Sequence, residues 1–220
     1  MKLACLFSGG KDSCLALHKA ARDNEIKYLL NVNPKTRDSW MFHKPDLKLL
    51  KKQARMLNIP LIIQESKGEK EAELADLEKI IKKVRDKIEG IVIGGIKSNY
   101  QGERLKKICK KLNLELVAPL WGYSVEQLWN ELLDENFKIV MTKISCEGID
   151  KGWIGKIINK ENFRKLEELY KKYKFRLDFE GGEAETAVLA MPGMKEEIKL
   201  EFDVVSEDKY RHFIKIKEIL

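Results

Sequence analysis

Leu3-Ala4-Cys5-Leu6-Phe7, followed by Ser8-Gly9-Gly10-Lys11-Asp12-Ser13, decides how this 220-residue chain folds. The five apolar residues predict a short buried strand. After the turn, Cys14, Leu15, Leu17, Ala20 and Ala21 recur at helical spacing. The six residues between them are therefore a strand-to-helix turn. Two glycines let the backbone turn tightly and approach a ligand with no Cβ in the way. The first N–H groups of the new helix lack intrahelical partners, and the helix dipole adds partial positive charge. Lys11 contributes a full charge, and Ser8 and Ser13 contribute hydroxyls. The combination suits a phosphate chain. The GxxxxGK[ST] spacing of the common P-loop is absent.

Outward from this turn, strands and helices alternate. Lys27–Val32 reads as a second strand, ended by Asn33-Pro34. A helix carrying Leu47, Leu50, Ala54 and Leu57 follows, then a strand at Pro60–Ile63. A helix with Leu74, Leu77, Ile80, Ile81 and Val84 leads to a strand at Gly90–Gly94. A helix from about Tyr100 to Leu112 precedes a fifth strand at Leu114–Val117. This alternation predicts an α/β fold with a doubly wound, parallel, five-stranded sheet. Ligands of such sheets sit at the carboxyl edge, where both glycine turns fall and where backbone groups of Val32 and Asn33 can meet a base.

From Ser124 the pattern changes. A helix with Val125, Leu128, Trp129, Leu132 and Leu133 is followed by a strand at Lys138–Thr142, a glycine-dotted loop from Gly148 to Gly155, and a charged helix from Glu161 to Tyr173. Two alternating segments, Ile198–Phe202 and Phe213–Ile216, read as strands. The expected organisation is a first domain over 1–123 and a smaller α+β domain over 124–220.

Lys+Arg of 42 against Asp+Glu of 35 gives a net charge of +7, which suits a polyanionic ligand. The four cysteines, Cys5, Cys14, Cys109 and Cys146, have no CxxC or zinc spacing, and they imply a reducing, cytoplasmic compartment. No signal peptide or membrane-spanning run is evident. Three histidines provide no pair with metal-ligand spacing.

The turn at Ser8–Ser13 resembles the pyrophosphate-binding PP-loop of the N-type ATP pyrophosphatases, whose sheet is of the adenine nucleotide alpha hydrolase type. Four further segments narrow the resemblance: Met41-Phe42-His43; Gly94-Gly95-Ile96-Lys97-Ser98-Asn99-Tyr100-Gln101 with Arg104; Gly148 to Lys156; and Glu180-Gly181-Gly182-Glu183-Ala184-Glu185-Thr186. With Pro119-Leu120-Trp121, these are similar to the diphthine–ammonia ligase family over nearly the whole chain. The resemblance implies ATP-dependent amidation of diphthine, a modified histidine on translation elongation factor 2. An acyl-adenylate forms, pyrophosphate leaves, and ammonia displaces AMP.

That resemblance implies roles for individual residues. Ser8, Gly9, Gly10, Lys11 and Ser13 hold the pyrophosphate, with Gly94, Gly95 and Ser98 forming a second nucleotide-binding turn. Asp12 is either a Mg²⁺ ligand or a cap of the helix. Arg104 neutralises phosphate or the substrate carboxylate. His43, Tyr100, Gln101, Lys143, Glu180, Gly181 and Gly182 are candidate substrate ligands. Glu183 and Glu185 are candidate acids and bases. Lys156 is a second candidate to balance the adenylate, and Trp153 reads as a core anchor. The family usually has glycine before Glu180 and an aromatic at the Ala184 position. Here they are Phe179 and Ala184, so Phe179 and Tyr123 become candidates to cage the trimethylammonium. The expected cofactors are ATP and Mg²⁺. The expected partners are the elongation factor and ammonium, free or delivered by a separate donor protein, with no nucleic acid or membrane; a homo-oligomer is left open. The competing readings are a tRNA-modifying adenylase built on the same loop and a nucleotide-binding module without turnover.

Overall fold

A computed structural model describes residues 1–34, 46–67, 70–95 and 99–220, with backbone only at 70–72 and 99–101. The chain divides into two units, Met1–Gly122 and Tyr123–Leu220.

In the first unit, five strands alternate with four helices. They are β1 (Lys2–Leu6), α1 (Lys11–Ala20), β2 (Glu25–Pro34), α2 (Leu47–Leu57), β3 (Leu61–Ser66), α3 (Lys70–Lys82), β4 (Gly90–Val92), α4 (Asn99–Lys111) and β5 (Glu115–Val117). The strands lie parallel in the order β3-β2-β1-β4-β5. The chain winds outward from β1 to β3, then restarts on β1's other edge with β4. The strand order therefore reverses between β1 and β4, which is where open α/β sheets bind ligands. The expected doubly wound sheet is present. The second strand runs longer than its apolar stretch because β3 pairs with it as far as Pro34.

Apolar side chains on one face of this sheet close a core with α3 and α4. Leu30, Val32 and Ile91 meet Leu77, Ile80, Ile81, Leu105, Ile108 and Cys109, all buried. Burial of each such aliphatic side chain contributes about 1.5–3 kcal/mol. Asp46 caps α2 by accepting from the backbone N–H groups of Lys48 and Leu49, and Asn58 ends that helix in the left-handed region at φ 56°.

The second unit holds α5 (Val125–Asp134), β6 (Lys138–Ser145), β7 (Ile157–Ile158), α6 (Lys160–Tyr173), β8 (Ala184–Ala190), β9 (Leu200–Ser206) and β10 (Arg211–Ile219). Its sheet is antiparallel and built around β6. β8 lies along one edge of β6, while β7 and then β10 share the other, with β9 outside β10. Both helices begin with capping boxes, Ser124 with Gln127 and Asn159 with Asn162. Trp129 of α5 is fully buried and donates its Nε1–H to Leu177 O at 2.8 Å.

Two strands exceed the sequence expectation. The segment Glu180–Thr186, where the sequence pattern marks no strand, runs into strand β8 from Ala184 onward. Ala and Glu are poor strand formers, and pairing with β6 overrides their propensity. β7 is only two residues long and emerges from the end of the glycine-dotted loop. No described helix is long and apolar enough to cross a membrane.

Candidate active site

At the end of β1 the chain folds back on its own hydroxyls. Ser13 Oγ donates to Gly10 O at 3.1 Å, lies 3.1 Å from Ser8 Oγ, and receives the Ser8 N–H at 3.3 Å. Gly10 occupies the N-cap of α1 and has no side chain to satisfy the helix's first N–H groups. Gly9 has φ +75°, a conformation that glycine adopts without strain. A Cβ there would stand 2.0 Å from Gln53 Oε1. Gln53, buried on α2, donates to Gly9 O at 2.9 Å. Gly94, just past β4, fits as tightly: a Cβ would lie 2.7 Å from the backbone of Asp12 and Ser13. The two glycine turns are thus in contact at the point where the strand order reverses.

Lys11 is 2% exposed, and its Nζ lies 2.7 Å from Asp12 Oδ2. A buried ammonium needs such a partner. Asp12 Oδ1 is buried and receives no hydrogen bond among the described residues. The capping alternative for Asp12 is therefore corrected. It sits one residue inside α1, and no side chain caps that helix. Val32 and Asn33 lie buried at the carboxyl end of β2, and Arg104 is half-buried on α4. Tyr100 and Gln101 belong to the first turn of α4, their side chains outside the description. His43 and Ser98 lie outside the described residues.

In the second unit a carboxylate cluster hangs on one arginine. The Arg176 guanidinium grips Asp178 with two bonds, Nε to Oδ1 at 3.0 Å and Nη2 to Oδ2 at 2.8 Å, and lies 3.4 Å from Glu180 Oε2. Asp178, 5% exposed, also accepts the Glu180 N–H at 3.1 Å. The Arg176 backbone N–H donates to Glu183 Oε1 at 3.2 Å, while Glu183 Oε2 is buried with no donor among the described residues. Glu185 is directly across from Lys143 on β6, and the two form an ion pair at 3.1 Å. Gly181 and Gly182 are exposed, with Gly182 at φ +87°. Arg176 and Asp178 also line a cavity of about 690 Å³ between α5 and α6, together with Phe163, Arg164 and Tyr170.

Residues 1–116 match the family described as the diphthamide synthase N-terminal domain, and residues 124–219 match its C-terminal domain. Chains described as diphthine–ammonia ligase are 32% identical in Mus musculus and 31% identical in Homo sapiens, each over 90% of this chain and 82% of the relative. The Schizosaccharomyces pombe relative is 31% identical over 91% of this chain and 36% of its own length. The chain belongs to the diphthamide synthase family. A solved structure described as a predicted subunit of tRNA methyltransferase from Methanocaldococcus jannaschii covers 87% of this chain and 98% of its own, at 15% identity and a TM-score of 0.49.

For a diphthamide synthase family member, the departure at Phe179 has a structural reading. Phe179 holds φ +60°, a region that favours glycine, and it is 4% exposed. Its ring meets Trp129 edge-on, with centroids 5.9 Å apart. Core packing offsets the strain, and the expectation that Phe179 cages a cation is corrected: the ring belongs to the core. Tyr123 donates its hydroxyl to Glu131 at 2.8 Å. Lys156 Nζ lies over the ring of Trp153, which is buried.

Sequence reading missed Gln53, Asn31, Arg176 and Asp178. Gln53 had a visible signal, a polar residue on the otherwise apolar face of Leu50, Ala54 and Leu57. Asn31 likewise interrupts an apolar strand. The cysteines carry no poised thiolate. Burial pushes Cys5 and Cys14 well up, and Cys109 and Cys146 to about 11.

Proposed function

We propose that this chain is a cytoplasmic ATP-dependent ligase that amidates the carboxylate of diphthine on translation elongation factor 2. A carboxylate resists ammonia until one oxygen becomes a good leaving group. In the first step, a diphthine carboxylate oxygen bonds to the α-phosphorus of ATP, the bond from that phosphorus to the bridging oxygen breaks, and pyrophosphate departs. In the second, ammonia adds to the acyl carbon, AMP leaves, and one proton is released with the amide.

The phosphate loop is suited to the first step. Lys11, the hydroxyls of Ser8 and Ser13 and the open end of α1 stabilise the departing pyrophosphate, with little reorganisation because the loop is already closed on itself. Gly94 and Gly95 wall the same edge, and Arg104 neutralises charge from α4. Asp12 fits Mg²⁺, since this ion takes one or two carboxylates and fills its other positions with phosphate oxygens and water. The buried Asp12 Oδ1 is the oxygen such an ion would use. When bound, the ion supplies charge neutralisation on the phosphates.

The acidic turn is suited to the second step. Glu180 is held by Arg176 and Glu185 by Lys143, whereas Glu183 keeps one oxygen without a donor among the described residues. Glu183 is therefore assigned to take the proton from ammonium, and the cluster as a whole attracts the trimethylammonium group. Glu180, Gly181, Gly182 and Lys143 are the candidate ligands of the diphthine group.

The observation that carries this reading is the self-bonded Ser8–Ser13 loop with its buried Lys11 paired to Asp12, in a chain matched by the diphthamide synthase family over both units. The test is pyrophosphate release with ATP, Mg²⁺ and ammonium, with and without diphthine-bearing elongation factor 2. Release that depends on the factor, with conversion of its carboxylate to an amide, is expected. Release that depends on tRNA, or nucleotide binding with no turnover, would overturn the proposal.

A further inference from the structure

Asn31 and Asn33 stand two residues apart on β2, so both point to the same face of the sheet. Leu30 and Val32, between and beside them, point to the opposite face and the core under α3 and α4. Two amides inside an apolar strand need a reason, and both are more than nine-tenths buried, Asn31 at 6% exposure and Asn33 at 4%.

Each amide has its orientation fixed by its own donor. Asn31 Nδ2 donates to Phe7 O at 2.8 Å, and Asn33 Nδ2 donates to Glu65 Oε1 at 3.0 Å. Flipping either amide would set oxygen against oxygen. The two Oδ1 atoms are therefore committed acceptors, and neither receives a hydrogen bond among the described residues. Burying an acceptor without a donor is unfavourable, and this strand does so twice. The place is informative. Phe7 immediately precedes the phosphate loop, so Asn31 stands at its entrance. Asn33 lies about 7 Å further along the strand, at the carboxyl edge where ligands of such sheets collect.

We infer that Asn31 and Asn33 select the nucleoside, Asn31 Oδ1 accepting from a ribose hydroxyl and Asn33 Oδ1 from the exocyclic amine of an aminopurine. The inference rests on reading the Ser8–Ser13 loop as the ATP phosphate site. Asn33 turns its amino group toward Glu65, so it presents only an acceptor to the base. An adenine amine satisfies that oxygen. The 6-oxo group of guanine or hypoxanthine opposes it and leaves both oxygens without a donor, a mismatch that a site of this kind rejects strongly.

Equilibrium binding by calorimetry, without acceptor substrate, tests the assignment. The probes are ATP, purine riboside triphosphate, which lacks the amine, inosine triphosphate, 2′- and 3′-deoxy-ATP, and pyrophosphate. Wild type is expected to favour ATP over purine riboside triphosphate by about tenfold, the value of one hydrogen bond of ordinary strength, and over inosine triphosphate by more. Asn33→Ala should bring the first ratio close to one and leave pyrophosphate affinity unchanged. Asn31→Ala should remove the preference for ATP over one deoxy analogue. Asn33→Asp combined with Glu65→Gln reverses the donor and acceptor of that pair while keeping an acceptor toward the base, so it should retain the adenine preference. This double variant also guards against misfolding of the alanine variant.

A wild-type protein that binds pyrophosphate without distinguishing the purines would overturn this inference alone. So would alanine variants that weaken every nucleotide equally, as expected if buried water fills the two positions. A protein that binds neither ATP nor pyrophosphate would overturn the loop reading as well.

Discussion

The Ser8–Ser13 loop and the Glu180–Thr186 turn both use a glycine pair, yet they are built in opposite ways. The loop is bonded mainly within itself: Ser8, Gly10 and Ser13 bond one another across five positions, and Gln53 closes over Gly9 from α2. The turn is held from outside. Arg176 and Lys143 fix its carboxylates, Asp178 accepts the Glu180 backbone N–H, and Trp129 anchors the backbone just before it. One concentrates positive charge at a helix end; the other gathers three carboxylates and, among the described residues, leaves one of their oxygens without a donor. Short-range bonding sets the loop's inner shape, which Gln53 then clamps from α2, while long-range bonding ties the acidic turn to the whole second unit.

If the two regions serve successive steps, their substitutions should fail differently. The largest effect is expected for Lys11→Ala, which should lower pyrophosphate release with the modified factor by about 10²–10³-fold, the usual cost of removing a preorganised charge donor. Next, Glu183→Gln should lower amide formation by about 10²-fold, a typical general-base contribution, while ATP affinity measured by calorimetry stays within error. Equal loss of ATP affinity in both variants would erase the distinction between the regions.

Gly94→Ala sharpens the same comparison in the first unit. Its Cβ would meet the backbone of Asp12 and Ser13 at 2.7 Å, so the two turns must part. A loss of about 1–3 kcal/mol by thermal unfolding, with weaker ATP binding, is expected. In the second unit, Trp129→Phe keeps a ring but removes the bond to Leu177 O. It should cost about 1 kcal/mol, leave ATP binding intact, and slow amide formation by loosening the chain that carries the acidic turn.

The smallest effect concerns Cys146. Burial is the main cause of its raised pKa of about 11, and the Glu183 carboxylate adds to it. Removing that negative charge with Glu183→Gln should lower the pKa and raise the thiolate fraction. Alkylation of Cys146 by iodoacetamide at pH 8 should then speed up a few-fold, read by peptide mass spectrometry. An unchanged rate would separate the two side chains.

The unequal construction also explains what the sequence disclosed. The parallel sheet was legible because each strand has its own apolar run and each crossover its own helical period. The phosphate loop was legible because its determinants are contiguous. Gln53 and Asn31 required knowing that α2 and β2 approach Gly9 and Phe7, although each stood out as a polar residue among apolar ones. Strand β8 was illegible from Ala184-Glu185-Thr186-Ala187, because pairing with β6, some forty residues earlier in the chain, creates it. The conformation of Phe179 was equally hidden. Its substitution for a usual glycine is visible in the sequence, but the indole that compensates it lies in α5.

The clamp of Gln53 on Gly9 has a consequence for protein engineering. Copying the hexapeptide into another nucleotide-binding scaffold transfers its letters but not the side chain that closes over its first glycine. A successful transplant must therefore carry the helix at residues 47–57 as well, and any homologue that changes one of these two positions is expected to show a compensating change at the other.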